Sequence, residues 1–377
     1  MDFNFTEQQS MLRAMAREFI ASECPKSMVK ELETNQKGYD ADLWNRMAGL
    51  GWLGLTLPEE YGGSNADFMD LVVLIEEMGR NILPGPFFST IVLAAFPLLE
   101  FGSKSQKARY LPSLVNGEKI WTLAVDEVNI DQAYSHIKTT AHKRHDVYVL
   151  DGEKIFVPYA NIADYILVAA RTRTGGTLDK GLTLFIVDTG LPGIKVEPIP
   201  TITGEKQCQV IFKGVCLSDD AIVGTRGGAG DLITNTLGRA GLLKCAEVSG
   251  ACQAVLEMTN NYARERSQFG KTIGAFQVIQ HKIVDMLIEV EGLQYLVYQA
   301  AWLMSIGLPC AGKVAAAKAK ANNVYQRVAL DGVKIHGAIG FSMDHDIGLY
   351  YRRVMAARFF PYNADYYLEE VACEIGL

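Results

Sequence analysis

The chain lacks the features that mark several large classes of protein. It has 36 Lys and Arg residues against 43 Asp and Glu, a formal net charge of −7, and no basic cluster that reverses this balance. A nucleic-acid-binding surface requires a basic patch or stripe. The composition therefore excludes that function.

Long hydrophobic runs are also missing. The longest apolar segment, TIVLAAFPLLEF (90–101), is too short to span a bilayer and contains a proline. At the N-terminus, Asp2 and Glu7 precede any apolar run, which does not fit a secretory signal peptide. We therefore expect a soluble, cytoplasmic protein.

The cysteines and histidines do not form a metal-binding pattern. The seven cysteines include no CxxC pair, and most lie in apolar surroundings, where a free thiol packs as a small hydrophobic group. Asp344, His345 and Asp346 are adjacent, but consecutive residues at a helix start point in different directions. No metal site is expected.

The hydrophobic period changes twice along the chain. Residues 1–118 and 227–377 repeat apolar residues at the three- and four-residue spacing of helices. Residues 119–226 contain short runs rich in Val, Ile, Phe and Tyr, separated by Gly, Asp and Pro clusters, which is typical of antiparallel β-structure. Within them, Asp151-Gly152 predicts a hairpin turn. We predict an α+β fold with an N-terminal helical domain, a central antiparallel β-barrel or sandwich, and a C-terminal four-helix bundle.

The segment RSQFGKTIGAFQ (266–277) separates two long helical stretches. An arginine can grip phosphate oxygens with two parallel hydrogen bonds, and glycines such as Gly270 and Gly274 let a backbone approach a ligand closely. A helix C-cap with a glycine stop explains the same residues without any ligand. The segment by itself leaves both interpretations open.

Four motifs together resemble those of the acyl-CoA dehydrogenase family. They are LGWLGLTLPEEYGG, EEMGRNILPGPF, RSQFGKTIGAFQVIQHKIVDM and IHGAIGFSMDHDIGLYYRR, and they follow the family's order over a matching helix–β–helix layout. The resemblance implies FAD-dependent α,β-desaturation of an acyl-CoA thioester. A carboxylate then takes the α-proton while the flavin accepts a hydride from Cβ.

The resemblance also implies which residues contact the cofactor. The glutamine-containing turn reaches across a subunit contact to the FAD of a neighbouring chain through Arg266, Phe269 and Gln277. The glycine-rich loop approaches the ADP half of the same FAD through Lys334, Gly337 and Ala338, where the family usually has Gln, Gly and Gly. A dimer or tetramer is therefore implied.

The β region departs from the family pattern where the flavin ring would lie. Asp126 replaces a hydroxyl residue, and Phe156 and Pro158 stand in the family's Trp-Ile-Thr stretch. An ionised carboxylate would repel a reduced, anionic flavin, unless it is protonated or turned away. These changes argue against a flavin seated on this chain's own β domain.

The catalytic carboxylate of the family is also missing. By alignment its two known places fall at Ala240 and at Pro361, and neither side chain can accept a proton. Asp365 and Glu369 lie downstream, out of register with the second place. No catalytic residue is assigned.

Three hypotheses follow from the resemblance. In the first, the chain resembles the smaller, base-less subunit of a heteromeric bacterial acyl-CoA dehydrogenase, and a paralogous subunit supplies the carboxylate. In the second, a homomeric acyl-CoA dehydrogenase uses a displaced base. In the third, the chain is a non-catalytic scaffold or acyl-CoA-binding paralogue. For an active enzyme the resemblance implies an electron-transferring flavoprotein as acceptor.

Overall fold

The structure is a computed structural model that describes residues 4–128, 137–173 and 181–377. The first of its three regions is helical. In the first region lie α1 (Glu7–Glu23), α2 (Lys26–Thr34), α3 (Ala41–Gly49), α4 (Phe68–Asn81), α5 (Phe96–Phe101) and α6 (Lys104–Val115), with a buried π-helix at Phe88–Ala95.

Local sequence signals define several helix starts in this region. Thr6, Asp67 and Ser103 each accept a hydrogen bond from the backbone of the following turn. In each case a side chain three residues later reaches back to the cap residue, which completes a capping box.

The middle region forms one eight-stranded sheet within the described residues, in the order β6-β7-β3-β2-β4-β5-β8, with β1 beside β4. The strands are β1 (Trp121–Ala124), β2 (Thr140–Arg144), β3 (Val147–Pro158), β4 (Tyr165–Arg171), β5 (Leu182–Asp188), β6 (Ile194–Ile199), β7 (Gln207–Ser218) and β8 (Ile222–Val223). The pairing is antiparallel except where β4 meets β1 and β2.

The hairpin predicted at Asp151-Gly152 is wrong. Strand β3 runs through both residues, and the register against β7 shifts between Leu150 and Gly152. Because β7 pairs with β3 on both sides of this point, the Asp-Gly pair forms a β-bulge rather than a turn. Pairing across the sheet overrides the local turn preference.

The second helical region follows the sheet. It contains α7 (Ala229–Glu265), a small hairpin of β9 (Ser267–Gln268) and β10 (Lys271–Thr272), α8 (Gln277–Ser305), α9 (Ala311–His336), α10 (Ile347–Ala357) and α11 (Ala364–Glu374). Helix α9 packs against α8, α10 and α11. The predicted order of helices, β-structure and helices is therefore confirmed.

The chain divides into two compact units, each continuous in space but not in sequence. One comprises Met1–Glu31, Asp67–Leu83 and Gly241–Leu377, and the other Leu32–Ala66 and Pro84–Ala240. The domain boundaries at 118/119 and 226/227 stay predictions from the sequence. Across the described ranges, no helix combines the length and apolar character needed to cross a membrane.

Helices α4 and α7 cross at very close range inside the first unit. A Cβ added at Gly250 would lie 1.8 Å from the Glu76 carbonyl oxygen, and one added at Gly79 would lie 1.9 Å from that of Glu247. Beside this crossing, the buried Glu76 side chain accepts hydrogen bonds from Ser249, Gln294 and Tyr298. Paired glycines thus allow a spacing that any side chain would prevent.

Candidate cofactor-contact site

The turn that follows α7 is a tight hairpin with an exposed aromatic tip. Phe269 and Gly270 form its two-residue turn, and both have positive φ, 54° and 81°. Such turns favour Asn-Gly or Gly-Gly, because a side chain in the left-handed region is strained. The Phe269 ring is 92 % exposed. A strained backbone that presents an apolar ring to solvent is a feature associated with contact sites.

Arg266 begins this hairpin. Its backbone N–H donates to the Tyr262 carbonyl and its own carbonyl accepts from Ile273, at 2.9 and 2.8 Å, while its side chain is exposed. Gly274 packs against the end of α7, since an added Cβ would meet the Ala263 carbonyl oxygen at 2.9 Å. The backbone of Arg266 is therefore fixed, and its guanidinium is available to a ligand.

Gln277 is the first residue of α8 and is exposed. The helix has 29 residues, and no side chain caps its N-terminus. Free N–H groups at the start of a long helix favour an anion. Together with Arg266, this helix start offers positive charge and donors suited to a phosphate group.

The glycine-rich loop leaves the end of α9. Lys334 is exposed in the last turn of the helix, and Gly337 follows with φ +67° and open space around its Cα. Ala338 is exposed and has an ordinary negative φ, so the family's second glycine is not required by this backbone. A ligand can approach the main chain at Gly337.

The ends of α7 and α9 meet, which brings the two loops to neighbouring positions. The ring of Tyr262 stacks on that of His336, with centroids 4.4 Å apart and planes 23° apart. Six of the nine predicted contact residues, Arg266, Phe269, Gln277, Lys334, Gly337 and Ala338, therefore lie on elements joined at this point.

The other three predicted contact residues lie in the β region, in the second unit. Phe156 has φ +51° and an exposed ring, at a second register shift between β3 and β7. The Asp126 carbonyl accepts from the Ile155 N–H at 3.0 Å, so Asp126 and Phe156 are neighbours. The Pro158 carbonyl accepts from the Thr122 hydroxyl at 2.6 Å.

Asp126 has an unusual electrostatic setting. Its side chain reaches solvent, yet the surrounding protein desolvates the carboxyl enough to raise its pKa, and the Lys154 ammonium only partly opposes that shift. Burial also lowers the pKa of Lys154 to about 8, although Glu127 lies 2.8 Å from its Nζ. The raised pKa of Asp126 makes repulsion of a reduced flavin weaker than the sequence suggests.

The two places at which the resemblance expects a carboxylate are occupied differently. Gly241 follows Ala240 on α7, and the three atoms nearest to an added Gly241 Cβ are the Tyr367 Oη at 3.3 Å and two carbons of the Pro361 ring. Asp365 and Glu369 are exposed on α11. Gly241, the residue after the buried Ala240, therefore lies beside a phenol and a proline ring.

Sequence reasoning missed two groups near this point. Tyr367 is buried against α9, beside Ala315 and Ala319. Lys318 is also buried, and it donates to the Ala357 carbonyl at the end of α10 and to Asn322. Burial lowers the pKa of Lys318 to about 8. No sequence signal distinguishes this lysine from an exposed one.

Comparisons with known proteins give the same family over nearly the whole chain. Residues 6–118, 132–215 and 228–361 match the N-terminal, middle and C-terminal domains of acyl-CoA dehydrogenase. A short-chain-specific acyl-CoA dehydrogenase of Clostridium acetobutylicum is 31% identical, with 92% of each chain covered. An acyl-CoA dehydrogenase of Bacillus subtilis is 32% identical, with 91% of each covered.

Solved structures of relatives share the fold. Butyryl-CoA dehydrogenase of Megasphaera elsdenii has a TM-score of 0.93 and 28% identity over the full length of both chains. PigA in complex with FAD gives 0.93 and 26%, also over both full lengths. A chain of the ChsE4-ChsE5 complex of Mycobacterium tuberculosis gives 0.90 and 28%, covering 100% of this chain and 99% of that one. The chain therefore belongs to the acyl-CoA dehydrogenase family.

Proposed function

We propose that this chain takes part in the FAD-dependent oxidation of an acyl-CoA thioester between Cα and Cβ, as one subunit of a heteromeric enzyme. The observation that supports the division of labour is that the two expected carboxylate places are a buried Ala240 and a Pro361 that packs beside Gly241, and neither side chain can accept a proton. A paralogous partner then supplies the base. An electron-transferring flavoprotein is the proposed acceptor. The ChsE4-ChsE5 relative is itself described as a complex of two chains.

The loops at the ends of α7 and α9 fit the diphosphate and ADP half of FAD. Arg266 offers a fixed cation, the α8 N-terminus offers free N–H donors, and Gly337 offers an open main chain. Phe269 presents an apolar ring beside them. When bound, FAD supplies the acceptor for the hydride that leaves Cβ. This chain's residues hold the cofactor in place across a subunit contact.

A visible spectrum of the chain alone and of the chain co-expressed with a neighbouring paralogue tests the proposal. We expect acyl-CoA to bleach the flavin only when both chains are present. Full bleaching by this chain alone would overturn the heteromeric proposal, and absence of flavin from both preparations would indicate a non-catalytic scaffold.

Arg266→Gln tests the cofactor contact itself. Charge-assisted hydrogen bonds are roughly twice as strong as neutral ones, so we expect the variant assembly to bind FAD about tenfold more weakly than the wild type. Arg264→Gln is the matched control, because Arg264 is also exposed and lies in the last turn of the same helix. Equal FAD retention in both variants would contradict the proposed role of Arg266.

One observation favours the homomeric alternative. Asp126 lies beside Phe156, another predicted cofactor contact, and burial raises the pKa of its carboxyl, which is the direction that a general base requires. Asp126→Asn separates the two proposals. In the heteromeric enzyme we expect acyl-CoA to bleach the flavin of this variant as in the wild type. Loss of bleaching with FAD retained would identify Asp126 as the displaced base.

A further inference from the structure

Three rings form an aromatic column at the end of the helical unit: Tyr262, His336 and His345. The His336 ring contacts both of the others. Tyr262 stacks on it with the ring centroids 4.4 Å apart, and the tilted ring of His345 has its centroid 4.7 Å from that of His336. The residues come from α7, from the last position of α9, and from the segment before α10. The column therefore joins three separate parts of the chain.

Tyr262 contacts His336 in two ways. Besides stacking, its hydroxyl donates to the His336 carbonyl at 3.3 Å. Tyr262 also lies one helical turn before Arg266, whose N–H donates to its carbonyl at 2.9 Å. His336 in turn directly precedes Gly337, the first residue of the glycine-rich loop. The two loops thus start from residues that are held against each other.

The state of the His336 ring suits this role. Its Nδ1 lies 2.8 Å from the Gly332 carbonyl, so Nδ1 bears the proton. Its Nε2 is buried and has no hydrogen-bond partner among the residues described. Burial lowers the pKa of His336, and His345 lowers it further. The neutral ring offers a flat surface for stacking, with Nε2 left as an unpaired acceptor.

The far end of the column is also fixed. The His345 Nδ1 accepts from the Ile347 N–H at 3.2 Å. On either side of His345, Lys30 donates to the Asp344 carbonyl at 2.7 Å and pairs with the Asp346 carboxylate at 2.8 Å. The column is therefore supported from α2 as well as from its own helices.

We propose that Tyr262 and His336 are positioning residues, which hold the Arg266 hairpin and the Gly337 loop at the mutual spacing that grips one FAD of a neighbouring chain. This inference rests on the proposed function. Neither ring needs to touch the cofactor. If the loops hold their binding arrangement for only a fraction of the time, the apparent dissociation constant rises by the inverse of that fraction.

FAD release from the holo-assembly on dilution, followed by the recovery of flavin fluorescence, tests the proposal. Tyr262→Leu and His336→Leu remove the stack, and we expect the FAD dissociation constant to rise roughly tenfold in each. Tyr262→Phe and His336→Phe keep two flat rings in contact, and we expect them to stay within about threefold of the wild type. If the role depended on the polar atoms of Tyr262 and His336, the phenylalanine variants would weaken FAD binding as much as the leucine variants do.

Two controls make the outcome decisive. Phe5→Leu removes an aromatic pair of the same unit, Phe5 and Tyr298 at 5.1 Å, that lies away from both loops, so it reports general loss of stability. Unchanged FAD binding in Tyr262→Leu and His336→Leu, in a series where Arg266→Gln does weaken it, would overturn this inference alone. No effect of Arg266→Gln would instead overturn the proposed cofactor contact. Weakening by Phe5→Leu to the same degree would show that the column acts only through stability.

Discussion

Replacing Gly250 by alanine tests the close crossing of α4 and α7. The added methyl group would lie 1.8 Å from the Glu76 carbonyl oxygen, 2.8 Å from its carbon and 2.9 Å from the Arg80 nitrogen. Non-bonded heavy atoms pack at about 3.5–4.0 Å, so the helices must separate by more than about 1 Å. All three atoms belong to the backbone, and no side-chain rotation can relieve the contact.

The expected loss of stability follows from two opposing terms. Overpacking a tight core costs about 1–3 kcal/mol, occasionally more, and the upper end applies because the separation also disturbs the hydrogen bonds of the buried Glu76. Alanine gains about 1 kcal/mol over glycine in a helix interior. We therefore expect Gly250→Ala to lower the free energy of unfolding by about 2 kcal/mol, which for a chain of 377 residues corresponds to about 2–3 °C in Tm.

Gly238→Ala is the matched control, since Gly238 lies on the same helix with no atom within 4 Å of an added Cβ. We expect it to stabilise the chain by up to about 1 kcal/mol. Calorimetry and urea unfolding of both variants measure the difference. A Gly250→Ala chain that melts like the wild type would refute the described helix spacing. The double variant with Gly79→Ala and Gly250→Ala should lose less free energy of unfolding than the two single variants together, because the helices separate only once.

Three further predictions concern a buried charge, the hairpin tip and an exposed helix face. The pKa of Lys318 falls from its ordinary value to about 8 on folding, so the unfolded chain binds more protons than the folded chain between about pH 8 and 10.5, and stability rises with pH in this window. Relative to Lys318→Met, the free energy of unfolding of the wild type should rise by ~3 kcal/mol across the window, as measured by urea unfolding at each pH. A pH-independent difference would refute this. Phe269→Asn places the preferred Asn-Gly pair in the turn, so we expect thermal unfolding to show a gain of up to ~1 kcal/mol while flavin retention falls; loss of both would contradict it. Val284, Ile288 and Tyr295 are exposed along α8, and an exposed apolar face is typical of a subunit contact. Ile288→Lys should therefore reduce the mass of the assembly measured by light scattering while the helix content stays unchanged. A variant that keeps the full mass would exclude this face from the subunit contact.

The helix–β–helix order could be read from the sequence because the signals are local. Hydrophobic period and the glycine at position 270 act within a few residues, and the structure confirms the helical regions and the turn that they predict. The capping boxes at Thr6, Asp67 and Ser103 are equally local, although only the structure identified them. The hairpin predicted at Asp151-Gly152 failed for the opposite reason, since pairing of β3 with β7 decides that backbone.

The candidate site divides in the same way. The residue types around Arg266 allowed either a helix cap or a phosphate contact, and the resemblance added Gln277 and Gly337 as cofactor contacts, a role that stays a proposal. The sequence did not indicate the positive φ of Phe269, because phenylalanine rarely occupies that position of a two-residue turn.

The amino-acid sequence indicated where the helical and β regions form, because neighbouring residues set the hydrophobic period, whereas the cofactor role of the loops came from the family resemblance and stays a proposal. Only the tertiary structure placed Tyr367 and Pro361 against Gly241, buried Lys318, and stacked Tyr262 on His336. Those contacts join residues that are far apart in the chain. Their free energy comes from desolvation and close packing, which exist only after the helices have assembled.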